Sequence, residues 1–234
     1  MGNISLGIEN ISMVTNQDKK AIENYFLPQP RIESYLKSKR QDSLLDEVNN
    51  VIDRCKFDYT LQKQMLGLGH AIYSGRELVG NEPFAVILPD DLCVNYGESV
   101  LSQMSKVYKN NTDCCIVAIE EVPSREVGKY GVIDGESIAD SNNTFMVNTM
   151  VEKPSIEDAP SNLAIIGRYI LTAEIFDILK VTGPDRNGET QITDALMSLA
   201  KKGKVIAYKF EGTRFDCGSL KGYLDANNFF AKND

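Results

Sequence analysis

Phe84-Ala85-Val86-Ile87-Leu88-Pro89-Asp90-Asp91 is the stretch whose reading decides the fold. Five consecutive apolar residues read as a strand buried on both faces, the kind found inside a parallel sheet. Pro89 lacks the N–H that would extend a ladder, so the strand stops there. Two carboxylates follow at its carboxyl end, where open α/β sheets place their ligands. Aspartate is a poor strand former and is costly to bury unpaired. Two readings fit this pair. One is a cation or a phosphate-bearing substrate close by; the other is a solvated turn in which aspartate serves as a turn former.

Working outward, the 234 residues suffice for one large α/β domain or two small ones with a sizeable core. Composition is ordinary for a globular protein, 42% hydrophobic and 25% charged. A formal net charge of −8 and a pI near 4.9 argue against non-specific binding to nucleic acid or anionic membranes, which needs a basic surface. They leave room for a local basic pocket that takes a phosphorylated small molecule. No apolar run approaches the ~20 residues of a membrane span. Met1-Gly2-Asn3-Ile4-Ser5-Leu6 has neither a basic n-region nor a long apolar h-region, which argues against a signal peptide. Cys55, Cys93, Cys114, Cys115 and Cys217 include no Cys-x-x-Cys, and there is a single histidine, poor material for a zinc site. Free thiols in a reducing cytoplasm fit better.

In chain order, Ile8 to Thr15 reads as a strand and Asp18 to Phe26 as a helix stopped by Pro28 and Pro30. A second helix stripe runs through Leu44, Leu45, Val48, Val51 and Ile52. Phe57, Tyr59 and Leu61 alternate with polar residues as a half-buried strand. Gly67-Leu68-Gly69-His70 then opens a helix reaching about Leu78; such a turn lets backbone N–H groups approach a ligand, and a helix N-terminus favours anions. His70, in the helix's first turn, reads as a packed or capping residue.

After the opening strand, Glu98 to Tyr108 is an amphipathic helix and Cys114 to Ile119 a buried strand, with Glu120 and Glu121 as its solvated end. Lys129 to Ile133 enters a short strand, Asp140 to Asn143 is a turn, and Phe145 to Val151 is a strand leading into Glu152-Lys153-Pro154. That acid and base at a strand end are either an exposed edge pair or a sugar-hydroxyl acceptor beside a phosphate partner. Ala164 to Leu171 is a strand, followed by a helix to Leu179 with Thr172 as its N-cap. A helix through Ile192 and Leu199, a strand from Val205 to Phe210, a turn at Arg214 to Ser219 and a last helix to Ala231 complete the chain. With no repeat or linker, the alternation of strands and helices reads as one α/β domain over residues 1–234.

The order of these segments is more specific than any one of them. Gln62 four residues ahead of Gly67-Leu68-Gly69-His70-Ala71, then Leu88-Pro89-Asp90-Asp91, Lys129-Tyr130-Gly131-Val132, Val151-Glu152-Lys153-Pro154, Ala159-Pro160-Ser161-Asn162-Leu163-Ala164 and Asp216-Cys217-Gly218 resembles the bacterial UTP–glucose-1-phosphate uridylyltransferases, or UDP-glucose pyrophosphorylases. The resemblance runs from about Ile8 to the last helix. It implies a Rossmann-like nucleotidyltransferase fold with a mixed, mostly parallel sheet. It implies UTP and glucose 1-phosphate as substrates, Mg2+ as cofactor and, in the full-length form, a homo-oligomer. On the residues, it implies that Gln62 reads the uracil with Gly67 close to the base. Asp90 and Asp216 hold the metal, Asp91 being a neighbour. Glu152 accepts from glucose hydroxyls, Lys153 pairs with the sugar phosphate, and Gly131 lets backbone approach the sugar. Lys153 and Asp90 are thus the implied catalytic residues.

The implied chemistry agrees with a sequence that has one histidine. A sugar phosphate is already an anionic nucleophile at neutral pH, its second pKa lying near ~6. It attacks the α-phosphorus of UTP in line, with pyrophosphate leaving, and needs no activated side chain. Positioning and charge neutralisation then carry the rate.

The sequence departs from the family at the front. No Gly-x-Gly-Thr-Arg pattern, the family's triphosphate loop, occurs here, and Glu9 to Phe26 resembles the family's second strand and the helix after it. The expectation is an N-terminally truncated domain lacking the first strand–loop–helix, inactive or weakly active as it stands. The alternatives are a non-catalytic sugar-nucleotide-binding paralogue, or a pyrophosphorylase that uses dTTP or ATP.

Overall fold

Apolar runs become strands and apolar stripes become helices throughout a computed structural model that describes residues 7–16, 19–138 and 141–233. The N-terminal hexapeptide, Asp18 at the start of the first expected helix and Asp140 at the start of the expected turn lie outside the described residues. The elements in chain order are β1 (Asn10–Thr15), α1 (Lys20–Tyr25), α2 (Pro30–Ser38), α3 (Asp42–Ile52), β2 (Lys56–Leu61), α4 (Gly67–Ser74), α5 (Arg76–Val79), β3 (Phe84–Ile87) and β4 (Asp91–Val94). There follow α6 (Val100–Lys109), β5 (Cys115–Glu121), a 3-10 turn at Ser124–Lys129, β6 (Gly131–Ser137), β7 (Thr144–Glu152), β8 (Leu163–Leu171), α7 (Glu174–Val181), α8 (Ile192–Ala200), β9 (Val205–Lys209), β10 (Thr213–Asp216) and α9 (Leu220–Asn233).

A six-stranded sheet in the order β3-β8-β5-β9-β7-β6 forms the middle layer. Alternation along β5 divides its side chains between two cores. Cys115, Val117 and Ile119 face α7 and α8, packing with Ile175, Phe176, Leu196 and Leu199. Ile116 and Ala118 face α6, packing with Val100, Leu101 and Met104. Each fully buried aliphatic side chain of this kind stabilises the fold by about 1.5–3 kcal/mol. Ser99 caps α6, its hydroxyl accepting from the Ser102 N–H.

Four expectations change. The sheet is mixed, but among the described strands only β1–β2 and β5–β9 pair in parallel; the other pairings are antiparallel. The short link from β6 to β7 permits only antiparallel pairing, because a parallel return needs a crossover of a dozen residues or more. Second, among the described strands β3 is an edge strand, paired antiparallel to β8 alone, and its residues are half-buried with Ile87 exposed. A five-residue apolar run reports apolar neighbours on its faces but says nothing of how many edges are paired. Third, Pro30 starts a helix rather than only stopping one, because the first helical position needs no N–H. Fourth, Thr172 does not cap α7, which has no side-chain cap; its hydroxyl lies 3.6 Å from Cys115 Sγ instead.

β1 and β2 form a separate two-stranded parallel sheet, and β4 and β10 a two-stranded antiparallel ribbon. All five cysteines carry free thiols, and no helix among the described residues is long and apolar enough to cross a membrane.

Candidate functional site

The turn after β3 is held from beneath by a long-range arginine. Arg168, on β8, donates from Nη1 to the carbonyls of Leu88 and Gly167, and from Nη2 to the carbonyl of Asp91. With those carbonyls satisfied, the two aspartates of the turn part company. Asp90 is exposed. Asp91 keeps 7% of its surface, with Oδ2 accepting from the Gly167 N–H at 2.7 Å and Oδ1 from Arg214 Nε.

The β4–β10 ribbon brings the distant carboxylate to Asp90. Asp91 stands opposite Asp216 in the register, and the Cys217 N–H donates to the Asp90 carbonyl at 2.7 Å. A Cβ placed on Gly218 would lie 3.1 Å from Asp216 Oδ1 and 3.2 Å from Asp90 Oδ2. Both oxygens therefore border one small volume that glycine leaves open. Two hard carboxylate oxygens around such a cradle suit Mg2+, which takes one or two carboxylates and completes its shell with phosphate oxygens and water. The residues present fit that ion. Among the described residues no group of three or more His, Cys, Asp or Glu converges on one point.

Arg214 is the hinge of the electrostatics. Its side chain is 6% exposed and bonds Asp91 through Nε and Glu120 through Nη1, the latter at 2.6 Å. Nη1 also reaches the Tyr130 hydroxyl at 3.4 Å, and the guanidinium lies 5.0 Å from the Tyr130 ring centroid. Burial alone would pull the guanidinium down, but Tyr130, Asp91 and Glu120 outweigh it and hold it above its ordinary value. Burial pushes Glu120 above the usual carboxylate range against the pull of Arg214. Glu120 is thus no solvated strand end: Glu121 is the exposed one, paired with Lys209 at 2.6 Å.

Through Tyr130 this network reaches the next segment. The Tyr130 carbonyl accepts from the Lys153 N–H at 2.9 Å, and Gly131 pairs with Glu152 in the β6–β7 ladder. A Cβ on Gly131 would come within 3.1 Å of Thr193 Oγ1 and 3.2 Å of Glu152 Oε2, so glycine keeps the backbone close to that carboxylate. Thr193, buried at the start of α8, donates to Glu152 Oε2 at 2.6 Å and fixes its orientation. Glu152 Oε1 stands 3.7 Å from Lys153 Nζ. Lys153 itself has φ +46, a left-handed backbone that a non-glycine residue rarely takes and that proline after it disfavours further. Strain of this sort persists where surrounding structure dictates it, and it clusters at ligand sites.

The segment leading into α8 links this pair to Gln62. Thr190 accepts from the Gly69 N–H at 2.9 Å and donates to the Leu66 carbonyl at 2.7 Å. Gly67 has φ +88, and a Cβ there would meet Glu189 Cβ at 2.9 Å, so only glycine fits. Gln62, nine-tenths buried, donates from Nε2 to the Gly67 carbonyl at 3.2 Å and lies 3.0 Å from His70 Nδ1. His70 also borders a cavity of about 580 Å3 lined by Leu61, Lys63, Tyr73 and Arg76.

Gln62, Gly67, Gly131, Glu152 and Lys153 are therefore connected through residues 190–193. Gly131 and Lys153 connect in turn through Tyr130 and Arg214 to Asp90, Asp91 and Asp216. Reading from sequence missed Arg168, Arg214, Glu120 and Thr193 as parts of this arrangement. Apart from the Gly167 carbonyl beside Arg168, their partners lie 41 to 123 positions away, beyond any local pattern.

Comparison with known proteins fits this geometry. The nucleotidyl transferase family matches residues 2–233. A UTP–glucose-1-phosphate uridylyltransferase of Pseudomonas aeruginosa is 53% identical over 231 residues, which are 98% of this chain and 82% of that protein. The solved structure of apo UDP-glucose pyrophosphorylase superposes with a TM-score of 0.93 at 49% identity, covering 99% of this chain and 84% of that one. A UDP-glucose pyrophosphorylase complexed with UDP-glucose gives 0.89 at 50% identity, covering 100% and 84%. On these grounds the chain belongs to the nucleotidyl transferase family and, within it, to the UTP–glucose-1-phosphate uridylyltransferases.

Proposed function

We propose that residues 1–234 form one nucleotidyltransferase domain whose site joins UTP and glucose 1-phosphate into UDP-glucose, releasing pyrophosphate. The observation that carries this reading is Arg214, which ties the Asp91 turn, and with it Asp90, to Tyr130, the neighbour of Gly131. One rim thereby presents carboxylates for a metal at one end and Glu152 with Lys153 at the other. That is what an in-line attack of one phosphate on another requires.

In this reading Gln62 and Gly67 take the uracil. Glu152, oriented by Thr193, accepts from the glucose hydroxyls. Lys153 pairs with the phosphate of glucose 1-phosphate and holds its oxygen toward the α-phosphorus. Asp90 and Asp216 would hold Mg2+, which when bound supplies neutralisation of charge on the phosphate oxygens. No side chain has to remove a proton, because the nucleophile is already a phosphate anion. Asp91 keeps its carboxylate engaged with Arg214 and Gly167.

The expected result is UDP-glucose binding that depends on Mg2+. The test is pyrophosphate release from UTP and glucose 1-phosphate with Mg2+, run beside UDP-glucose binding. Pyrophosphate release that persists without Mg2+ would overturn the metal's role, and loss of all UDP-glucose binding would overturn the site. The free thiols fit a cytoplasmic setting. Exposed Leu220, Tyr223, Leu224 and Phe230 on α9 fit a homo-oligomer, which sedimentation would reveal.

A further inference from the structure

His70 is the single histidine of the chain, and the mechanism above gives it no task. Its surroundings give it one. The Gln62 amide nitrogen faces two atoms, the Gly67 carbonyl at 3.2 Å and His70 Nδ1 at 3.0 Å. A carbonyl oxygen has only lone pairs, so the Gln62 atom against it must be the NH2 group and not the amide oxygen. The second proton of that NH2 then points to Nδ1, which must offer its lone pair. His70 therefore carries its own proton on Nε2.

With both amide protons taken, Gln62 has nothing left to donate. Its Oε1 takes no hydrogen bond among the described residues and is the one group it can offer a ligand. We infer that His70 is a positioning residue that, with the Gly67 carbonyl, locks the Gln62 amide as an acceptor and so selects a pyrimidine that donates at ring position 3. This rests on the reading that Gln62 meets the base. Uracil and thymine carry N3–H and satisfy Oε1. Cytosine has a lone pair at N3 and would set acceptor against acceptor. Turning the amide to suit cytosine would forfeit both bonds to NH2, press Oε1 against the Gly67 carbonyl and force His70 onto its other tautomer, a buried mismatch of the costly kind.

The inference is tested in two ways. Because the chain has one histidine, long-range proton–nitrogen NMR of the intact protein at neutral pH reports its tautomer without assignment. The expected spectrum is that of an imidazole protonated at Nε2; protonation at Nδ1 in the neutral ring would overturn the proposal. Binding of UDP-glucose and CDP-glucose is then compared by calorimetry for the wild type, His70→Asn and His70→Leu. Asparagine can put Oδ1 where Nδ1 stands and should keep the preference for UDP-glucose. Leucine removes the acceptor and should shrink the preference by about tenfold. An unchanged preference in His70→Leu overturns the role of His70. Gln62→Leu separates the two levels: if it leaves UDP-glucose binding intact, the base-reading assignment itself fails, and the proposal with it. If it weakens UDP-glucose binding while His70→Leu leaves the preference unchanged, only the His70 proposal fails.

Discussion

Asp90→Asn and Asp91→Asn change neighbouring residues by the same atoms, yet the structure assigns them opposite consequences. Asp91 uses both carboxylate oxygens, one for the Gly167 N–H and one for Arg214 Nε, in surroundings that leave it 7% exposed. An asparagine there has one oxygen, so either Gly167 or Arg214 must face an NH2 group. Breaking a buried charged pair costs about 3–5 kcal/mol. Glu120 still holds Arg214 at 2.6 Å, which puts the expected cost near the lower end, about 3 kcal/mol. For a chain of this length that lowers the melting temperature by about 6–12 °C. Asp90 is exposed, and the same change there should stay within about 0.5 kcal/mol. Thermal unfolding by circular dichroism gives the stability of each variant, and calorimetric titration of Mg2+ in the presence of UDP-glucose gives the metal. The expected pattern is a stable Asp90→Asn that has lost the metal-dependent heat and an unstable Asp91→Asn. An Asp91→Asn protein melting with the wild type, or an Asp90→Asn protein melting as low as Asp91→Asn, would refute the division of roles.

Three further outcomes follow from the same contacts. Thr193→Val keeps the shape of the side chain but removes the donor to Glu152; UDP-glucose affinity should fall by about tenfold while the melting temperature changes little, as calorimetry and a melt will check. Arg214→Lys keeps a charge but not the fork that serves Asp91, Glu120 and Tyr130 together, and should lower both the melting temperature and UDP-glucose binding. Glu174 is held below the usual carboxylate range by hydrogen bonds from Lys204 and Lys202. A lowered folded value means stability that is complete above the ordinary value of 4.5 and lost as pH falls through the lowered one. The melting gap between wild type and Glu174→Gln should therefore close in acid; a gap that widens there would contradict the linkage.

What could be read from sequence was whatever the chain writes locally. β5 and β8 announced themselves as apolar runs, and α6 as an amphipathic stripe. Asp90 was legible as a carboxylate at a strand end, Asp216 as a carboxylate in a turn, Gly67 as part of a turn opening a helix, and Glu152-Lys153 as an acid–base pair at a strand end. Pairing was not legible. Phe84–Ile87 has the composition of a central strand and the position of an edge strand, because hydrophobicity records what covers a strand's faces and not what bonds its edges. The β4–β10 ribbon is four residues long on each side, too short for a period to show. Arg168 and Arg214 were invisible for a different reason. Each acts on residues about 80 to 123 positions away, and a lone arginine in a strand looks the same whether it faces water or a buried carboxylate. His70 was legible as a residue near a turn but not as the partner of Gln62, since only the fold sets Nδ1 against the amide.

In the proposed function Asp90 and Asp216 act together on a sugar nucleotide, and one titration tests that most directly. UDP-glucose is titrated into this chain with Mg2+ and again with a chelator, for the wild type and for Asp216→Asn. Binding by the wild type should weaken by about tenfold or more when the metal is removed or Asp216 loses its charge. Binding of equal strength under all these conditions, or no binding at all with Mg2+ present, would contradict it.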